Sequence, residues 1–488
     1  MHIAIIGAGP CGIAAGRELR RQGFTDFTII DALDAPGGTW RLHNYPGLAC
    51  DVWAHSYSFT YAPNPDWSAS FVEQSEIQAY LADCAREFGL EEHLKLNTRI
   101  LRAQWQTEGH WILETEAGES LRADVIINAM GNQHTPLYPD VPGRDSFTGD
   151  SWHGTRWNHS VSLEDKRIVV VGSAACAVQV VPEIAKVAGK LTVLQRSPNW
   201  IMPRGRKFYS EAQKRRYRRY PWLIKAKRAV QGLMMGQVEN AATLGHKRMQ
   251  QFEKMALDYL HKEIEDPELR AALTPDSRYG CKRGLVSDDF YPALKRDNVS
   301  LIAEGLKEVT PTGIVTSSGG SIDCDVIIYC TGYRIMDWDR IDVRGRDNQS
   351  LAQALDGTPR AYKGIATPGF PNYFFAMGPN GLVLNASYFR TAEVNVASIV
   401  KLLRAMRDKN SNTIEVKETV TAEYCDWMMN RFPQYSWAAK DCQSYYTNAE
   451  GYPPFLYPGS FKAYQKAHGG ISLDEFEIQR TEEQRQVA

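Results

Sequence analysis

The 488-residue sequence lacks the features that mark secreted, metal-binding or membrane-spanning proteins. Its nine cysteines are scattered between Cys11 and Cys442, without a Cys-x-x-Cys pair or a Cys/His cluster at zinc spacing, which predicts reduced thiols in a cytoplasmic protein. No stretch approaches ~20 uninterrupted apolar residues, so we expect no membrane span. An apolar run begins directly after Met1 and His2, so we also expect no secretory signal peptide.

A strong excess of charge is also missing, because 56 Lys and Arg are balanced by 57 Asp and Glu. Such a chain creates no overall field that would attract nucleic acid or an anionic membrane, so we expect neither as a general partner. A local exception is the basic run from Lys214 to Arg219, a pattern more typical of a solvated helical face than of a binding surface. The length favours two or three domains.

What the sequence does contain is one pattern that occurs twice, an apolar run followed by a small-residue turn and a helix-compatible stretch. The first copy extends from Ile3 to Leu19, and the second from Ile168 to Ala185. Short β-branched runs followed by Gly and Ala are typical of buried parallel strands that lead into helices. The sequence therefore predicts an α/β protein with two Rossmann-like dinucleotide-binding domains.

The first glycine loop, G-A-G-P-C-G, contains Gly7, Gly9 and Gly12 and follows the first predicted strand. Glycines at this spacing allow a tight turn and a close approach to a pyrophosphate, which would lie at the helix N-terminus. Asp31 ends the next strand run, Phe27–Ile30, where a carboxylate would accept a hydrogen bond from a ribose hydroxyl. Its charge disfavours a 2′-phosphate, so FAD or NAD fits this loop better than NADP.

Two further segments decide between FAD and NAD at the first loop. Gly38, Thr39 and Trp40, together with the later Gly332, resemble the second and third contact regions of FAD sites in flavin reductases and monooxygenases. This resemblance, rather than the glycine spacing, implies that the first nucleotide is FAD.

The second loop keeps Gly172 but has Ala174 and Ala177 where the first loop has glycines. The following strand ends in Arg196 and Ser197, with no acidic residue at the ribose position. A cation beside a hydroxyl suits a 2′-phosphate. The second nucleotide is therefore predicted to be NADPH.

Three longer motifs resemble those of the type I Baeyer–Villiger monooxygenases. Residues 147–157 fit F-x-G-x-x-x-H-x-x-x-W, residues 37–51 fit G-G-x-W-x-x-x-x-Y-P-G-x-x-x-D, and residues 282–299 begin with Lys-Arg and end with R-D-N-V. The chain departs from the family at Asn158, where Pro or Asp is usual, and at Tyr457, where Trp is commoner. The resemblance covers nearly the whole chain.

The resemblance implies NADPH- and O2-dependent oxidation of a ketone to an ester or lactone by way of a C4a-peroxyflavin. It implies that Arg283 stabilises negative charge on the peroxide and on the carbonyl adduct, and that Asp51 orients Arg283. Lys282 is carried over as a second cation for the NADPH 2′-phosphate. No metal ligand is expected.

The predicted domains follow from these assignments. We place the FAD-binding domain at 1–145 and 346–488 and the NADPH-binding domain at 155–203 and 281–345. Residues 204–280 have long charged helical runs and few strand runs, which indicates a helical insertion in the NADPH-binding domain.

An N- or S-oxygenating flavin monooxygenase is the main alternative, because such enzymes share both nucleotide loops. A disulfide reductase would need a redox cysteine pair at short spacing, and a non-catalytic flavoprotein would not need Arg283. The substrate is expected to be a small, apolar molecule, and the oligomeric state stays open. Bulky residues that could line its pocket, although core packing explains each equally well, are Met234, Met235, Trp338, Tyr388, Phe389 and Phe455.

Overall fold

The computed structural model describes residues 1–335, 337–442 and 446–480. The strands, in chain order, are β1 (Ile3–Ile6), β2 (Phe27–Ile30), β3 (Leu94–Lys95), β4 (Ile100–Gln106), β5 (His110–Thr115), β6 (Ser120–Ala123), β7 (Val125–Asn128), β8 (Asp150–His153), β9 (Arg167–Val171), β10 (Lys190–Leu194), β11 (Ile201–Met202), β12 (Leu285–Val286), β13 (Val299–Ile302), β14 (Leu306–Thr310), β15 (Gly313–Thr316), β16 (Ser321–Asp323), β17 (Val326–Tyr329), β18 (Asp342–Arg344), β19 (Tyr373–Phe375), β20 (Thr413–Val416) and β21 (Phe476–Gln479).

The helices lie between these strands and over the sheets. The α-helices are α1 (Pro10–Arg21), α2 (Thr39–Leu42), α3 (Gln74–Glu87), α4 (Ala177–Ile184), α5 (Glu211–Arg219), α6 (Trp222–Ala242), α7 (Lys247–Glu263), α8 (Pro267–Leu273), α9 (Phe290–Leu294), α10 (Leu351–Ala354), α11 (Tyr388–Asp408), α12 (Glu418–Met429) and α13 (Phe461–Gly469). Short 3₁₀ helices lie at Glu91–His93, Arg144–Ser146, Arg346–Asn348, Phe432–Gln434, Ser436–Ala438 and Leu473–Glu475.

The first large sheet is parallel and has the order β19-β7-β1-β2-β3. Its central strand β1 has the sequence IAII and is buried along its whole length, with Ile3 opposite Phe27 on one side and Val125 on the other. A strand that is buried on both faces needs helices over both faces, which explains its continuous apolar sequence. Helix α1 follows β1 directly and packs against α11.

The second large sheet repeats this plan with the order β13-β10-β9-β17-β8, again with parallel strands. Its central strand β9 contains four buried residues, Ile168–Val171, and leads into the second small-residue loop and α4. In both sheets the strand before the small-residue loop lies at the centre. The predicted α/β fold with two Rossmann-like units is confirmed.

The helical insertion is also confirmed, because α5 to α8 lie between β11 and β12, which pair with each other in parallel. The exact domain boundaries remain proposals. Residues 443–445 and 481–488 of the proposed FAD-binding domain, and Met336 of the proposed NADPH-binding domain, lie outside the described residues. Within the described part of the chain, no helix is both long and apolar enough to cross a bilayer.

The prediction that all cysteines are reduced thiols is wrong for two of the nine. Cys281 and Cys442 form a disulfide, with their Cα atoms 5.5 Å apart and a sequence separation of 161. Spacing cannot reveal such a pair, because only the folded chain brings the segment before Lys282 against the loop after α12. The other seven cysteines are free, and six of them are buried.

Candidate active site

A cavity of about 1750 Å³ lies where the loops after the strands of both large sheets meet. The loop after β1 contributes Gly7 and Gly9, and the loop after β10 contributes Arg196 and Ser197. Residues after β7 and β17 complete this wall. In parallel α/β sheets, ligands bind outside the carboxyl ends of the strands, so both sheets present their binding edges to one cavity.

The first glycine loop has the close backbone packing that a pyrophosphate cradle requires. Gly7 has φ +111°, and a Cβ there would lie 2.6 Å from the carbonyl oxygen of Ala129, while a Cβ on Gly12 would overlap the carbonyl oxygen of Gly7. Helix α1 begins at Pro10, and no side chain caps its first turn. Its free backbone N–H groups therefore suit an anion such as a pyrophosphate.

Asp31 joins the end of β2 to this loop. Its carboxylate accepts hydrogen bonds from the backbone N–H groups of Ala8, at 2.6 Å, and Leu33, at 2.8 Å. Burial raises the pKa of Asp31, and these two hydrogen bonds act in the opposite direction. The carboxylate lines the cavity and has further lone pairs with which to accept hydrogen bonds from ribose hydroxyls.

The other residues predicted to contact FAD lie around the same loop. Gly38 has φ +57°, and a Cβ there would lie 2.9 Å from the Cα of Gly9, so the two backbones face each other closely. Thr39 begins α2 and lines the cavity, and the Trp40 indole donates a hydrogen bond to the Tyr57 hydroxyl at 3.2 Å. These three consecutive residues thus close one side of the cradle. Gly332, the fourth residue of the set predicted to contact FAD, also lines the cavity and has φ +90°.

The second loop repeats the key contact of the first. Gly172 has φ +108°, and a Cβ there would lie 2.5 Å from the carbonyl oxygen of Cys330, which follows β17. Ala129 follows β7 in the same way, so each first glycine packs against the residue after the neighbouring strand. Helix α4 begins at Ala177, and no side chain caps its first turn.

The three residues predicted to bind a 2′-phosphate come together at this loop. The Lys282 ammonium donates a hydrogen bond to the Ser197 hydroxyl at 2.7 Å. Burial lowers the pKa of Lys282, and the positive charge of Arg196 acts in the same direction against the opposing effect of Asp276. No ion pair among the described residues includes Arg196 or Lys282. Two cations and a hydroxyl therefore face the cavity with capacity to bind an anion.

Arg283 and Asp51, the two predicted catalytic residues, form an ion pair across the cavity wall. The guanidinium Nη2 lies 2.6 Å from Oδ2 of Asp51, and the side chains are 40% and 26% exposed. Backbone contacts fix both segments: the Cys50 N–H donates to the Val72 carbonyl at 2.9 Å, and the Leu285 N–H donates to the Trp200 carbonyl at 2.8 Å. The pair thus joins a turn of the first unit to the end of the helical insertion.

The sequence analysis missed a buried polar cluster beside the FAD loop. His43 is fully buried, its Nδ1 lies 3.4 Å from the Tyr333 hydroxyl, and burial lowers its pKa to about 3, helped by the charge of Arg156. The Tyr45 hydroxyl donates to the Gln179 side chain at 3.1 Å, which links the first unit to α4 of the second. Tyr45 belongs to a family motif, but a lone His or Gln gives no recognisable sequence signal.

The bulky residues proposed for the pocket divide into two groups. Met234, Met235, Tyr388 and Phe455 line the cavity. Trp338 packs against the core behind the first sheet, and Phe389 is fully buried in the main core. Of the two explanations that the sequence left open, core packing holds for these last two residues.

Comparison with known proteins identifies the family. A family model described as flavin-binding monooxygenase-like matches residues 1–342. The chain belongs to this family. A Baeyer-Villiger monooxygenase from Pseudomonas aeruginosa is 38% identical to it over 94% of this chain and 87% of its own. One from Streptomyces coelicolor is 35% identical over 98% and 93% of the two chains. The predicted family is confirmed.

Solved structures show the same fold. A closed structure of cyclohexanone monooxygenase has a TM-score of 0.87 at 26% identity, and it covers 98% of this chain and 99% of that chain. An oxidised steroid monooxygenase bound to NADP has a TM-score of 0.86 at 26% identity with the same coverage.

Proposed function

We propose that this protein is an NADPH- and O2-dependent Baeyer–Villiger monooxygenase that converts an apolar ketone to an ester or lactone. The observation that carries the proposal is the Arg283–Asp51 ion pair in a cavity shared by both nucleotide loops. Relatives of 38% and 35% identity that bear this enzyme name support it.

FAD and NADPH are the cofactors, as predicted, since the chain belongs to a flavin-binding monooxygenase family and a steroid monooxygenase of the same fold is bound to NADP. We assign FAD to the loop of Gly7, Gly9 and Gly12, because a side chain on Gly7 or Gly12 would meet a backbone carbonyl oxygen and the uncapped helix N-terminus behind the loop suits a pyrophosphate. We assign Asp31 to the ribose of the same nucleotide. When bound, FAD supplies the electron transfer and the reaction with dioxygen, and the protein supplies binding, orientation and electrostatics.

Arg196, Ser197 and Lys282 are assigned to the 2′-phosphate of NADPH. Two cations and a hydroxyl match a doubly charged phosphate, which accepts several charge-assisted hydrogen bonds. The hydrogen bond between Lys282 and Ser197 holds the Lys282 ammonium at this end of the cavity. NADH lacks the phosphate, so these contacts would distinguish the two nucleotides.

Arg283 is assigned to the stabilisation of negative charge on oxygen during attack on the carbonyl. A guanidinium stays positively charged and offers five N–H donors in a plane, an arrangement that suits contact with oxygen anions, and Nη2 of Arg283 contacts Asp51. A preorganised cation stabilises charge that develops in the transition state without rearranging at that moment. Asp51 keeps the guanidinium in place and offsets part of its charge.

The side of the cavity formed by the helical insertion and by segments near the C-terminus suits an apolar substrate. Met234, Met235 and Phe455 contribute its lining there. Apolar walls exclude water, which strengthens electrostatic interactions inside the site and limits side reactions. A small-molecule substrate follows from the family, and the ketone is part of our proposal. A cytoplasmic location is also a proposal: seven cysteines remain thiols, as is usual there, whereas the disulfide of Cys281 with Cys442 is a bond that cytoplasmic proteins rarely contain.

Arg283→Ala tests the function most directly. We expect ester formation to fall by at least ~10²-fold, the usual scale for removing one preorganised oxyanion partner. NADPH oxidation should continue, with release of hydrogen peroxide. The assay contains a ketone and a sulfide together, and the product ratio is measured by mass spectrometry. Sulfoxide formation should fall much less, because oxygen transfer to an electron-rich sulfur does not need a cation that stabilises an alkoxide.

Arg296→Ala is the matched control, since Arg296 is an exposed arginine outside the cavity. It should leave both products unchanged. If Arg283→Ala retains most of its ester formation, the Baeyer–Villiger assignment is wrong and heteroatom oxidation explains the site better.

A further inference from the structure

Positive charge is concentrated in one segment of an otherwise balanced chain. Residues 204–228 contain eleven Lys and Arg but one acidic residue, Glu211, whereas the whole chain has a formal net charge of −1. The sequence alone favoured a solvated face for the basic run within this segment. The structure adds the surface on which these charges lie.

Helix α5 directs its arginines away from the protein. Arg215, Arg216, Arg218 and Arg219 are exposed. On the opposite side, the Tyr217 hydroxyl accepts a hydrogen bond from Lys227 at 3.1 Å, so this side fixes the helix to the protein. The four guanidinium groups therefore form one positive surface.

Acidic partners neutralise little of this surface. Arg218 pairs with Asp66 at 2.5 Å. Among the described residues, no ion pair includes Arg215, Arg216 or Arg219. Three permanently charged groups thus remain available to an external anion.

Helix α6 adds an exposed apolar stripe directly after this cluster. Trp222, Val230, Leu233 and Met234 are 62%, 57%, 74% and 50% exposed. At 100° per residue they occupy about one third of the helix circumference. A contiguous exposed stripe of this kind is a mark of an interaction surface rather than ordinary scatter.

Contacts on the other face fix this orientation of α6. Ile224 is buried, and buried Gln231 accepts a hydrogen bond from the Ser56 hydroxyl at 2.7 Å. The Arg228 guanidinium donates to the carbonyl of Ser58 at 3.1 Å. The stripe therefore cannot turn inward without breaking these contacts.

The cluster and the stripe together form what we call the α5–α6 face: Arg215, Arg216, Arg218, Arg219, Trp222, Val230, Leu233 and Met234. We propose that the α5–α6 face binds the surface of an anionic phospholipid bilayer. The arginines would contact headgroup phosphates, and the apolar side chains would enter the boundary between headgroups and acyl chains. Basic residues beside exposed Trp and Leu on a helix are the pattern of helices that lie in the membrane interface.

Charge and shape favour this occupant over others. A second copy of the chain would bring a like-charged arginine cluster against the first unless the two faces were offset. A nucleic acid would satisfy the arginines but would leave Val230 and Leu233 against a charged backbone. An anionic bilayer offers phosphates and an apolar layer at adjacent depths, which matches both parts of the face.

The stripe also leads to the cavity, because Met234 is half exposed and lines the cavity wall. An apolar ketone dissolved in a bilayer would meet this edge of the cavity first. This consequence for the substrate rests on the proposed function, whereas bilayer binding itself does not.

Vesicle co-sedimentation of the full-length holoenzyme tests the proposal. Vesicles of phosphatidylcholine alone are compared with vesicles that contain phosphatidylglycerol, and we expect binding to the second kind. Arg215→Gln, Arg216→Gln and Arg219→Gln together should weaken binding by about 100-fold, since each Lys or Arg near an anionic surface contributes roughly a fivefold gain in partitioning. Leu233→Ser should weaken it by roughly tenfold through lost apolar burial.

Matched controls change the same residue types on other surfaces. Arg122→Gln, Lys166→Gln and Lys307→Gln remove three exposed charges elsewhere, and Leu101→Ser removes an exposed leucine elsewhere. Both controls should bind vesicles like the wild type. Flavin content verifies that every variant is folded, and no readout depends on turnover, so failure of the proposed ketone oxidation would not affect this test.

Three outcomes would overturn the proposal. The first is equal sedimentation with both kinds of vesicle or with neither. The second is a loss of self-association in the α5–α6 variants without a change in vesicle binding, which would assign the face to a second copy. The third is retention of a polynucleotide but not of vesicles, which would assign the arginines to nucleic acid.

Discussion

The two nucleotide-binding units have the same plan but different loops. In each unit the strand before the loop is central, and a first glycine packs against the carbonyl oxygen of the residue after the neighbouring strand, Ala129 or Cys330. Beyond that point they diverge. The first loop continues with Gly9 and Gly12, whereas the second has alanines.

This difference distinguishes residues that the fold requires from residues that we assign to ligand binding. The first glycine is a requirement of the fold, because any side chain there would meet a backbone oxygen in either unit. The residues after the second strand of each unit differ in charge: Asp31 in one, Arg196 and Ser197 in the other. We propose that this charge, rather than the number of glycines, decides which nucleotide each unit binds.

Among the substitutions that test this comparison, Gly12→Ala should have the largest effect on the protein. A Cβ on Gly12 would overlap the carbonyl oxygen of Gly7, so the loop must shift. We expect a loss of about 3 kcal/mol in the free energy of unfolding, the upper end of the usual cost of overpacking, together with loss of FAD. Flavin absorbance per polypeptide and denaturant unfolding measure the two effects.

Ala177→Gly is the reciprocal change, because Ala177 holds the equivalent position in the second loop. It should cost only about 1 kcal/mol, as expected for glycine in a helix, and should leave FAD in place. Loss of FAD, or a loss of about 3 kcal/mol, on Ala177→Gly would show that the second loop depends on its methyl group as strongly as the first loop depends on the absence of one, and it would contradict this expectation.

Removing the two positive charges assigned to the 2′-phosphate of NADPH should have the next largest effect. Arg196→Ala with Lys282→Ala should raise the KM for NADPH by roughly one to two decades, since each hydrogen bond lost at these solvent-accessible positions should cost about 1–1.5 kcal/mol and a factor of ten corresponds to about 1.4 kcal/mol. The KM for NADH should barely change, because NADH lacks the 2′-phosphate. Steady-state oxidation of both nucleotides measures the difference.

Lys186→Ala with Lys190→Ala removes two exposed charges from the same unit and serves as the control. This variant should keep the wild-type preference. Wild-type protein that uses NADH and NADPH equally well would reject the assignment of Arg196 and Lys282 at the outset.

The residues that sequence analysis could predict belong to local patterns. A glycine loop follows its strand directly, and the residue at the end of the next strand can be found by counting, so Gly7, Asp31 and Arg196 could be located before the fold was known. Asp51 and Lys282 were found by family resemblance. The structure pairs Asp51 with Arg283, as the resemblance implies, and it places Lys282 beside Ser197.

Other features depend on segments that meet only in the folded chain. The disulfide of Cys281 with Cys442 and the contact of His43 with Tyr333 each join distant positions without a local signal. The outward stripe of α6 was also hidden, because an apolar helical face has the same sequence pattern whether it is buried or exposed. Phe389 is a related case, because the sequence left pocket lining and core packing equally open for it and only the fold shows that it lies in the core.

Asp51→Ala should have the smallest of these effects, and it tests whether the two units form one site. Asp51 belongs to the first unit and holds Arg283, which follows the helical insertion of the second. We therefore treat Asp51 as a positioning residue. Its loss should lower ester formation about tenfold, the lower end of the usual cost of removing support from a functional group. Flavin content and the KM for NADPH should stay near the wild-type values.

Two readouts distinguish positioning by Asp51 from a general structural role. A misplaced Arg283 should raise the fraction of NADPH oxidation that ends in hydrogen peroxide rather than ester, and Asp51→Asn should restore part of the coupling, because its amide oxygen still accepts a hydrogen bond from the guanidinium. Asp34→Ala breaks an exposed Asp–Arg pair in the first unit, with Arg41, and should change neither value. If Asp51→Ala keeps the wild-type ester yield and coupling, the ion pair does not orient Arg283 for catalysis, and the two units contribute to the site independently.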